Sequence, residues 1–197
     1  MKKIIMIMLV VLICINILAC GSEKPQEATD SISIQDITEA MAETPVLLTS
    51  AGQSADFDIA KTLMDKTGID YEGNATITAG QLNNQATLMV AVGGSSKGLG
   101  AAGIDADDEL KRVTEVIAKA KEDGMTIIAL HIGGEGRRGT LSDRFINAVL
   151  PESDYIIAVA TGDTDGLMSN IAVNNGIPMA KVDTIGEVIG ILTKTFK

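Results

Sequence analysis

The stretch Thr87-Leu-Met-Val-Ala-Val-Gly-Gly-Ser-Ser-Lys-Gly-Leu-Gly-Ala-Ala-Gly103 decides the fold. An apolar run ends abruptly in glycines, and Lys97 lies among them. A second stretch, Ile127-Ile-Ala-Leu-His-Ile-Gly-Gly-Glu-Gly-Arg-Arg-Gly139, follows the same plan of a buried-type strand, a Gly-Gly pair and a cation three residues later. Because glycine lets other groups approach the peptide N–H closely, the two turns together predict a site for an anionic group.

The pattern around these stretches predicts a single three-layer, Rossmann-like α/β domain over residues 45–197. Continuous apolar strands that alternate with amphipathic helices indicate a mainly parallel sheet with helices on both faces. The predicted strands cover 46–49, 87–92, 126–132, 155–160 and 177–182. The predicted helices cover 55–67, 107–122, 141–149, 167–174 and 184–195. Residues 69–86 are less regular, and either Ile69–Tyr71 or Ala75–Thr78 is expected to supply an edge strand.

In a sheet of this kind the loops from strand to helix share the carboxyl edge, where ligands bind. These loops are 50–54, 93–104, 133–139 and 161–166. We predict that a small anionic or polar ligand lies between loops 93–104 and 133–139. The candidate binding residues are Gln53, Gly93, Gly94, Ser95, Ser96, Lys97, Gly98, Gly133, Gly134, Glu135, Arg137 and Arg138. The competing interpretation is that the glycines only form tight turns and that the cations pair with Glu135, Asp105 or Asp143.

His131 is the only histidine, and it lies two residues before Gly133. Imidazole acts as a general base near neutral pH, so His131 is a candidate catalytic residue, with Ser95 or Ser96 as its hydroxyl partner. The alternative function is therefore a hydrolase or transferase that uses the same crevice. A structural histidine competes with this interpretation, because neighbouring strand positions face opposite sides of a sheet. A third alternative is a protein-interaction lipoprotein without a small ligand.

No cofactor or metal is predicted. Gly98-Leu-Gly-Ala-Ala-Gly103 has the spacing of a dinucleotide fingerprint, but five residues separate it from Val92 and a helix is expected only after it. Lys97 precedes a glycine instead of following one, which does not fit a phosphate loop of nucleoside triphosphatases. Asp163 and Asp165 could hold a cation, yet Asp-rich turns more often cap the next helix.

Residues 1–19 have the features of a lipoprotein signal peptide. Lys2 and Lys3 precede the apolar segment Ile4–Leu18, whose length of fifteen residues is below the roughly 20 that span a membrane. The segment ends in Ala19-Cys20, which is similar to a lipobox, so lipidation, including palmitate, is expected on Cys20. An uncleaved N-terminal anchor would leave the domain on the same side of the membrane.

Residues 20–44 are expected to form the lipidated N-terminus and a flexible tether. Within it, Ser33-Ile-Gln-Asp36 matches a capping box and predicts either a short helix or part of a disordered spacer. The protein is therefore expected on the extracytoplasmic face of the cell membrane. Its expected partners are the membrane, through the lipid, and a small ligand, with a membrane protein as a further candidate.

Charge and cysteine content exclude several classes of function. The net charge of −10 becomes −12 when Lys2 and Lys3 leave with the signal peptide, which argues against nucleic acid as a partner. Both cysteines, Cys14 and Cys20, fall in or directly after that segment. The mature domain thus offers no thiol for a disulfide, for thiolate catalysis or for a metal.

The run Gly93–Asp105, together with His131–Gly139 and Leu141–Asp143, resembles an uncharacterised family of bacterial lipoproteins with a Rossmann-like domain. The resemblance covers most of residues 45–196. The family is a domain of unknown function, so the resemblance implies no activity, ligand or cofactor.

Overall fold

A computed structural model describes residues 39–196 as an α/β fold on six parallel strands. The strands are β1 (Val46–Ala51), β2 (Tyr71–Gly73), β3 (Thr87–Val92), β4 (Thr126–His131), β5 (Tyr155–Val159) and β6 (Met179–Val182). The helices are α1 (Asp56–Thr67), α2 (Ser96–Ala102), α3 (Ala106–Glu122), α4 (Thr140–Val149), α5 (Leu167–Asn175) and α6 (Val188–Thr195). Short 3-10 turns lie at 79–81, 134–137, 150–152, 160–162 and 185–187.

The strand order is β2-β1-β3-β4-β5-β6, and each neighbouring pair is parallel. The order reverses between β1 and β3, whose carboxyl ends meet in register at Ala51 and Val92. In doubly wound sheets this reversal marks the crevice in which ligands bind. The predicted parallel α/β architecture is confirmed.

Both faces of the sheet are buried, which explains why the strands are apolar without alternation. On β3, Leu88, Val90 and Val92 face one core, which is closed by α3, α4 and α5. Met89 and Ala91 face the other core, which is closed by α1 and α6. The domain therefore has the predicted three layers, and every helix except the short α2 covers a face of the sheet.

Helix α2 lies inside the segment 93–104, which the sequence predicts to be a loop. Its first turn is capped, because Ser95 Oγ accepts a hydrogen bond from the Gly98 N–H at 3.1 Å. Leu99 anchors the helix with 5% of its surface exposed, and Gly103 ends it in the left-handed conformation at φ 71°. The expectation that a helix begins only after Gly103 is therefore wrong, since a single buried leucine and a serine cap suffice for two turns.

The edge strand β2 occupies Tyr71–Gly73 and pairs with the first residues of β1. It shares only Tyr71 with the first predicted alternative and none of the residues 75–78. Strand β6 begins at Met179, two residues later than predicted, directly after Pro178, which has no N–H to donate. The closing helix is shorter than predicted, because residues 185–187 form a 3-10 turn before α6.

The predicted signal peptide, Cys14, Cys20 and the capping box at 33–36 lie outside the described residues and stay predictions. At the start of the described chain, the N–H groups of Met41 and Ala42 each donate to Thr195 O at 3.0 Å. Between residues 39 and 196, no helix has the length and apolar character needed to cross a membrane.

Candidate functional site

The crevice where the strand order reverses is closed by backbone contacts between the loops after β1 and β3. Ser95 donates its N–H to Gly52 O at 2.8 Å, and Gln53 and Gly94 form an isolated antiparallel bridge. Gln53 has a positive φ of 54°, which bends this loop toward its neighbour. The two loops therefore act as one unit at the carboxyl edge.

The backbone N–H groups of the first glycine loop donate mostly to protein acceptors. Gly93 donates to the carbonyl that ends β1 at 2.9 Å, and Gly94 donates to Ser142 Oγ at 2.9 Å. The N–H of Gly98 is taken by the Ser95 cap at 3.1 Å. An anion at this loop would therefore depend on side-chain cations more than on these amides.

Glu109 and Arg112 of α3 form a buried ion pair that contacts the end of β1 and the loop after it. Arg112 donates through Nε and Nη2 to the two Glu109 oxygens at 2.7 and 2.8 Å, and through Nη2 to Ser50 O at 2.5 Å. Glu109 Oε1 also accepts from the Gly52 N–H and from Gln53 Nε2, both at 3.0 Å. Gln53 thus serves to hold the loop, and its amide has partners inside the protein.

A second buried carboxylate, Asp56, lies at the start of α1 and is covered by Arg137. Arg137 Nε lies 3.2 Å from Asp56 Oδ1, with 31% of the arginine side chain and 1% of the aspartate side chain exposed. The other oxygen, Asp56 Oδ2, is buried and has no hydrogen-bond partner within the described chain. Arg137 is therefore a partly exposed cation at the carboxyl edge, and a buried carboxylate holds its guanidinium.

Two glycines make room for this pair. A Cβ on Gly133 would lie 2.0 Å from Arg137 Cγ and 2.7 Å from Asp56 Oδ2. A Cβ on Gly93 would lie 2.9 Å from the same oxygen and 3.5 Å from Arg137 Cδ. The paired Gly-Gly turns are thus occupied by protein atoms, and the Arg137 side chain lies across both of them.

The sequence did not single out Asp56, Glu109 or Arg112. Each of the two acids lies in the first turn of its helix, where a carboxylate is ordinarily explained by the helix dipole. Both missed acids lie four residues before a buried alanine or valine on their own helix, namely Ala60 and Val113. An acid on the apolar stripe is the signal that could have identified them.

Arg138 connects the loop after β4 to the loop after β5 through hydrogen bonds. It donates to Asp143 Oδ1 at 2.9 Å, to both oxygens of Asp165 at 2.9 Å and to Gly162 O at 2.5 Å. These hydrogen bonds, first those to Asp165, raise the pKa of Arg138, and the Arg138 guanidinium holds the pKa of Asp165 well below its usual range. Arg138 therefore pairs with Asp143, as predicted by the interpretation in which the glycines only form tight turns.

Asp163 caps α5. Its Oδ1 accepts from the Met168 N–H at 2.7 Å, and Lys181 Nζ lies 2.7 Å from its Oδ2. Burial favours the neutral acid, but the hydrogen bonds from Lys181 and Ser169 are stronger and keep the pKa of Asp163 below its usual range. Within residues 39–196 no group of three or more His, Cys, Asp or Glu side chains is arranged to hold a metal ion.

His131 is completely buried at the end of β4. Its Nδ1 donates to Val92 O at 3.0 Å, which leaves Nε2 as the unprotonated nitrogen. Nε2 has no partner among the described residues and faces Gly162, where a Cβ would lie 2.8 Å away. The sequence places His131 at the edge with the glycines, and the structure puts its side chain beneath the β5 loop.

Lowering the pH from about 7.5 to about 5.5 is expected to destabilise the wild-type chain more than a His131→Asn variant. Burial lowers the pKa of folded His131 below its ordinary 6.5, so the unfolded chain takes up the proton first. The free energy of unfolding therefore decreases as the pH falls below about 6.5, by up to about 1.4 kcal/mol per pH unit.

Urea unfolding followed by circular dichroism at several pH values measures this difference. Asparagine keeps a donor for Val92 O, and the chain contains no other histidine. Equal pH dependence in the two proteins would show that the imidazole is not held neutral.

The remaining predicted residues are exposed or partly exposed at the same edge. Lys97 and Ser96 begin α2, and the side chain of Lys97 has no partner within residues 39–196. Glu135 is exposed on the 3-10 turn that carries Arg137. The structure thus brings Gly93, Gly133 and Arg137 together and sets Gln53, Arg138 and His131 in supporting positions.

These observations define a doubly wound, all-parallel α/β domain in which the buried Asp56 pairs with the partly exposed Arg137 at the carboxyl edge. The chain belongs to the family described as Domain of unknown function (DUF6305), which matches residues 43–196. No curated protein matches the chain.

Several solved structures share limited similarity with this chain. The psychrotrophic esterase EstA from Pseudoalteromonas sp. is 11% identical, with 71% of this chain and 78% of that one covered and a TM-score of 0.34. A GDSL-like lipase from Bacteroides thetaiotaomicron is 12% identical, with coverages of 69% and 66% and a TM-score of 0.32. The SGNH-hydrolase family esterase AlinE4 is 12% identical, with coverages of 76% and 81% and a TM-score of 0.32. At TM-scores below 0.5, no inference about this chain rests on them.

Proposed function

We propose that this domain binds a small anionic ligand at Arg137, on the carboxyl edge of its sheet. Arg137 would contact the anion through its two terminal nitrogens, and Lys97 would add positive charge from the first turn of α2. The domain would act as a binding protein. Its ligand would be a carboxylate or a phosphate, which arginine recognises with paired hydrogen bonds.

One observation carries the proposal. Asp56 engages Arg137 through Nε alone, while Nη1 and Nη2 have no acceptor within the described part of the chain. A guanidinium that is held at one end and free at the other is pre-organised, so little entropy is lost when an anion binds. The ion pair with Asp56 limits the directions in which the guanidinium can point.

A concave surface at the opposite edge of the sheet suits an anion less well. It lies at the amino edge of the sheet, between the starts of β1 and β2 and the turn before β3. Its lining contains two carboxylates and no cation, which would repel an anion. The lining residues are Pro45, Val46, Asp70, Tyr71, Glu72, Asn83, Asn84 and Gln85.

The enzyme and interaction alternatives have less support. His131 is fully buried, and neither of its ring nitrogens bonds a serine. Of its two predicted hydroxyl partners, Ser95 is engaged as the cap of α2 and Ser96 is exposed, so these groups do not form a base–nucleophile pair at the edge. For a protein-interaction surface, only Val173 and Ile185 among the large apolar side chains of residues 39–196 are exposed by more than a third. Two separate side chains do not make a docking patch.

We further propose that the protein acts at the extracytoplasmic face of the cell membrane. The basic, apolar and Ala-Cys features of residues 1–20 support a lipid on Cys20 as the anchor. A ligand bound by the domain would then be held close to the membrane, where a membrane-protein partner could receive it.

Replacing both Lys97 and Arg137 by alanine is expected to abolish anion binding. The full chain, purified in detergent micelles, would be unfolded thermally with phosphate, sugar phosphates, carboxylates, amino acids or nucleotides present. A ligand at 100 times its Kd stabilises a protein by about 2.7 kcal/mol, and each kcal/mol raises the Tm of a domain this size by about 2–4 °C. The wild-type chain should show such a shift for one class of anion.

A matched control removes two cations elsewhere. Arg144 pairs with Asp107 on the surface and Lys194 lies in the last turn of α6. The Arg144→Ala, Lys194→Ala chain has the same net charge as the test variant and should keep the full ligand shift. An unchanged shift in the Lys97, Arg137 variant would refute this location of the site, and a flat panel for the wild-type chain would refute the binding function.

A further inference from the structure

We infer that the ligand is a small acid with a hydroxyl or amino group on the carbon next to its acid group. In this assignment Arg137 binds the acid and Asp56 Oδ2 accepts a hydrogen bond from the neighbouring O–H or N–H. The inference rests on the proposed function and adds the chemical class of the ligand.

The carboxylate of Asp56 is only half satisfied. Oδ1 is paired with Arg137, whereas Oδ2 is buried without a donor in the described chain. A buried charged oxygen that lacks a hydrogen bond is costly, so proteins rarely retain one without a use. A donor that arrives with the ligand would remove that cost and gain a charge-assisted hydrogen bond.

The space beside Oδ2 is a narrow slot without side chains on its floor. Gly93 and Gly133 form the floor, the Asp56 carboxylate forms one wall, and the methylene groups of Arg137 form the roof. Any Cβ on either glycine would come within 2.9 Å of Oδ2, so a larger residue at these positions would fill the slot. In the structure the Arg137 side chain fills this space, so a group as small as a hydroxyl or an ammonium would enter only when that side chain shifts.

A ligand that reaches Oδ2 would have to displace the Arg137 side chain, which forms the roof of the slot. Arg137 lies on a 3-10 turn at Gly134–Arg137, and the neighbouring Gly136 has no atom within 4 Å of the position of a Cβ. Rotation of the partly exposed Arg137 side chain would uncover Oδ2 while the guanidinium stays close to Asp56. Because Arg137 and Asp56 are in direct contact, an acid bound by the first and a donor bound by the second would lie on neighbouring carbons of the ligand.

Isothermal titration calorimetry on the full chain in detergent micelles tests this with three acids of equal length. Succinate has two carboxylates and no other polar group, malate adds a hydroxyl, and aspartate adds an amino group. We expect malate or aspartate to bind at least about tenfold more tightly than succinate, the effect of one hydrogen bond to a charged group. Which of the two binds more tightly distinguishes the hydroxyl from the amine as donor.

Asp56→Asn should erase this preference, because the amide presents a donor where Oδ2 accepts. Asp58→Asn, on the exposed side of the same helical turn, is the matched control and should retain it.

Equal affinity for the three acids in the wild-type chain would overturn the inference and leave the anion site intact. A preference that survives Asp56→Asn would do the same. Absence of binding by all three acids would overturn the inference, and absence of binding by phosphate and the rest of the anion panel as well would overturn the proposed function. The comparison in the wild-type chain decides the matter even where Asp56→Asn does not fold.

Discussion

Gly98→Ala is expected to lower the free energy of unfolding by about 3 kcal/mol or more. A Cβ on Gly98 would lie 1.7 Å from the carbonyl oxygen of Gln53 and 2.9 Å from its carbonyl carbon. Both are backbone atoms, so no change of side-chain rotamer can relieve the overlap. Gln53 itself is fixed by hydrogen bonds from its side chain to Ala75 O and Glu109.

Gly100→Ala provides the matched control two residues further along the same helix. No atom lies within 4 Å of its Cβ position and its φ is not positive. Alanine is preferred over glycine inside a helix by about 0.5–1 kcal/mol, so this change should stabilise the chain. Urea unfolding followed at 222 nm gives both values, and a Gly98→Ala chain as stable as the wild type would contradict the close contact between the two loops.

The three glycines within and after α2 show why the function of the glycine-rich stretch could be predicted only in part from the sequence. Gly98, Gly100 and Gly103 look alike in the sequence, where they suggest a ligand cradle or a dinucleotide fingerprint. In the structure the first meets the backbone of Gln53, the second meets nothing, and the third supplies a left-handed helix end. The reason that a glycine is needed lies in a segment some forty residues away, which the local sequence does not contain.

The sheet itself was predictable because its signals are local and repeated. Strand β3 was predicted to the residue, since Thr87–Val92 is a continuous apolar run that ends at two glycines. The short edge strand β2 was harder, because only three residues pair and only Tyr71 among them is partly buried. A strand at an edge needs little apolar surface, so it leaves a weak pattern.

The candidate site was predictable in its location and less so in its members. Paired Gly-Gly turns at strand ends indicated the carboxyl edge, and Arg137 lies there with Gly93 and Gly133. Asp56, which holds Arg137, was missed because a carboxylate in the first turn of a helix is ordinarily explained by the helix dipole. Its position four residues before the buried Ala60 and its burial, with 1% of the side chain exposed, separate it from that explanation.

Replacement of Glu109 by leucine is expected to cost about 3–5 kcal/mol of the free energy of unfolding. Glu109 is completely buried, and 11% of the Arg112 side chain is exposed. Removal of one member leaves an uncompensated buried charge, which is far more costly than the net contribution of the intact pair. The loop after β1 would also lose the acceptor for the Gly52 N–H and for Gln53 Nε2.

The double replacement Glu109→Leu, Arg112→Met separates these contributions. It removes both charges together, so its cost should be well below the sum of the two single changes, because the pair interacts directly. Glu115→Ala, which breaks the exposed pair with Lys111 on the same helix, should cause no measurable loss.

If the single Glu109→Leu change proved as mild as the double one, the charge of Arg112 would be stabilised without Glu109. The ion pair would then not hold the β1 loop in place. If the single change is severe and the double one mild, the buried charge itself is the cause. The remaining cost of the double variant then comprises the lost contacts to Gly52 and Gln53 and the lost hydrogen bonds from Arg112 to Ser50 O and Ile77 O.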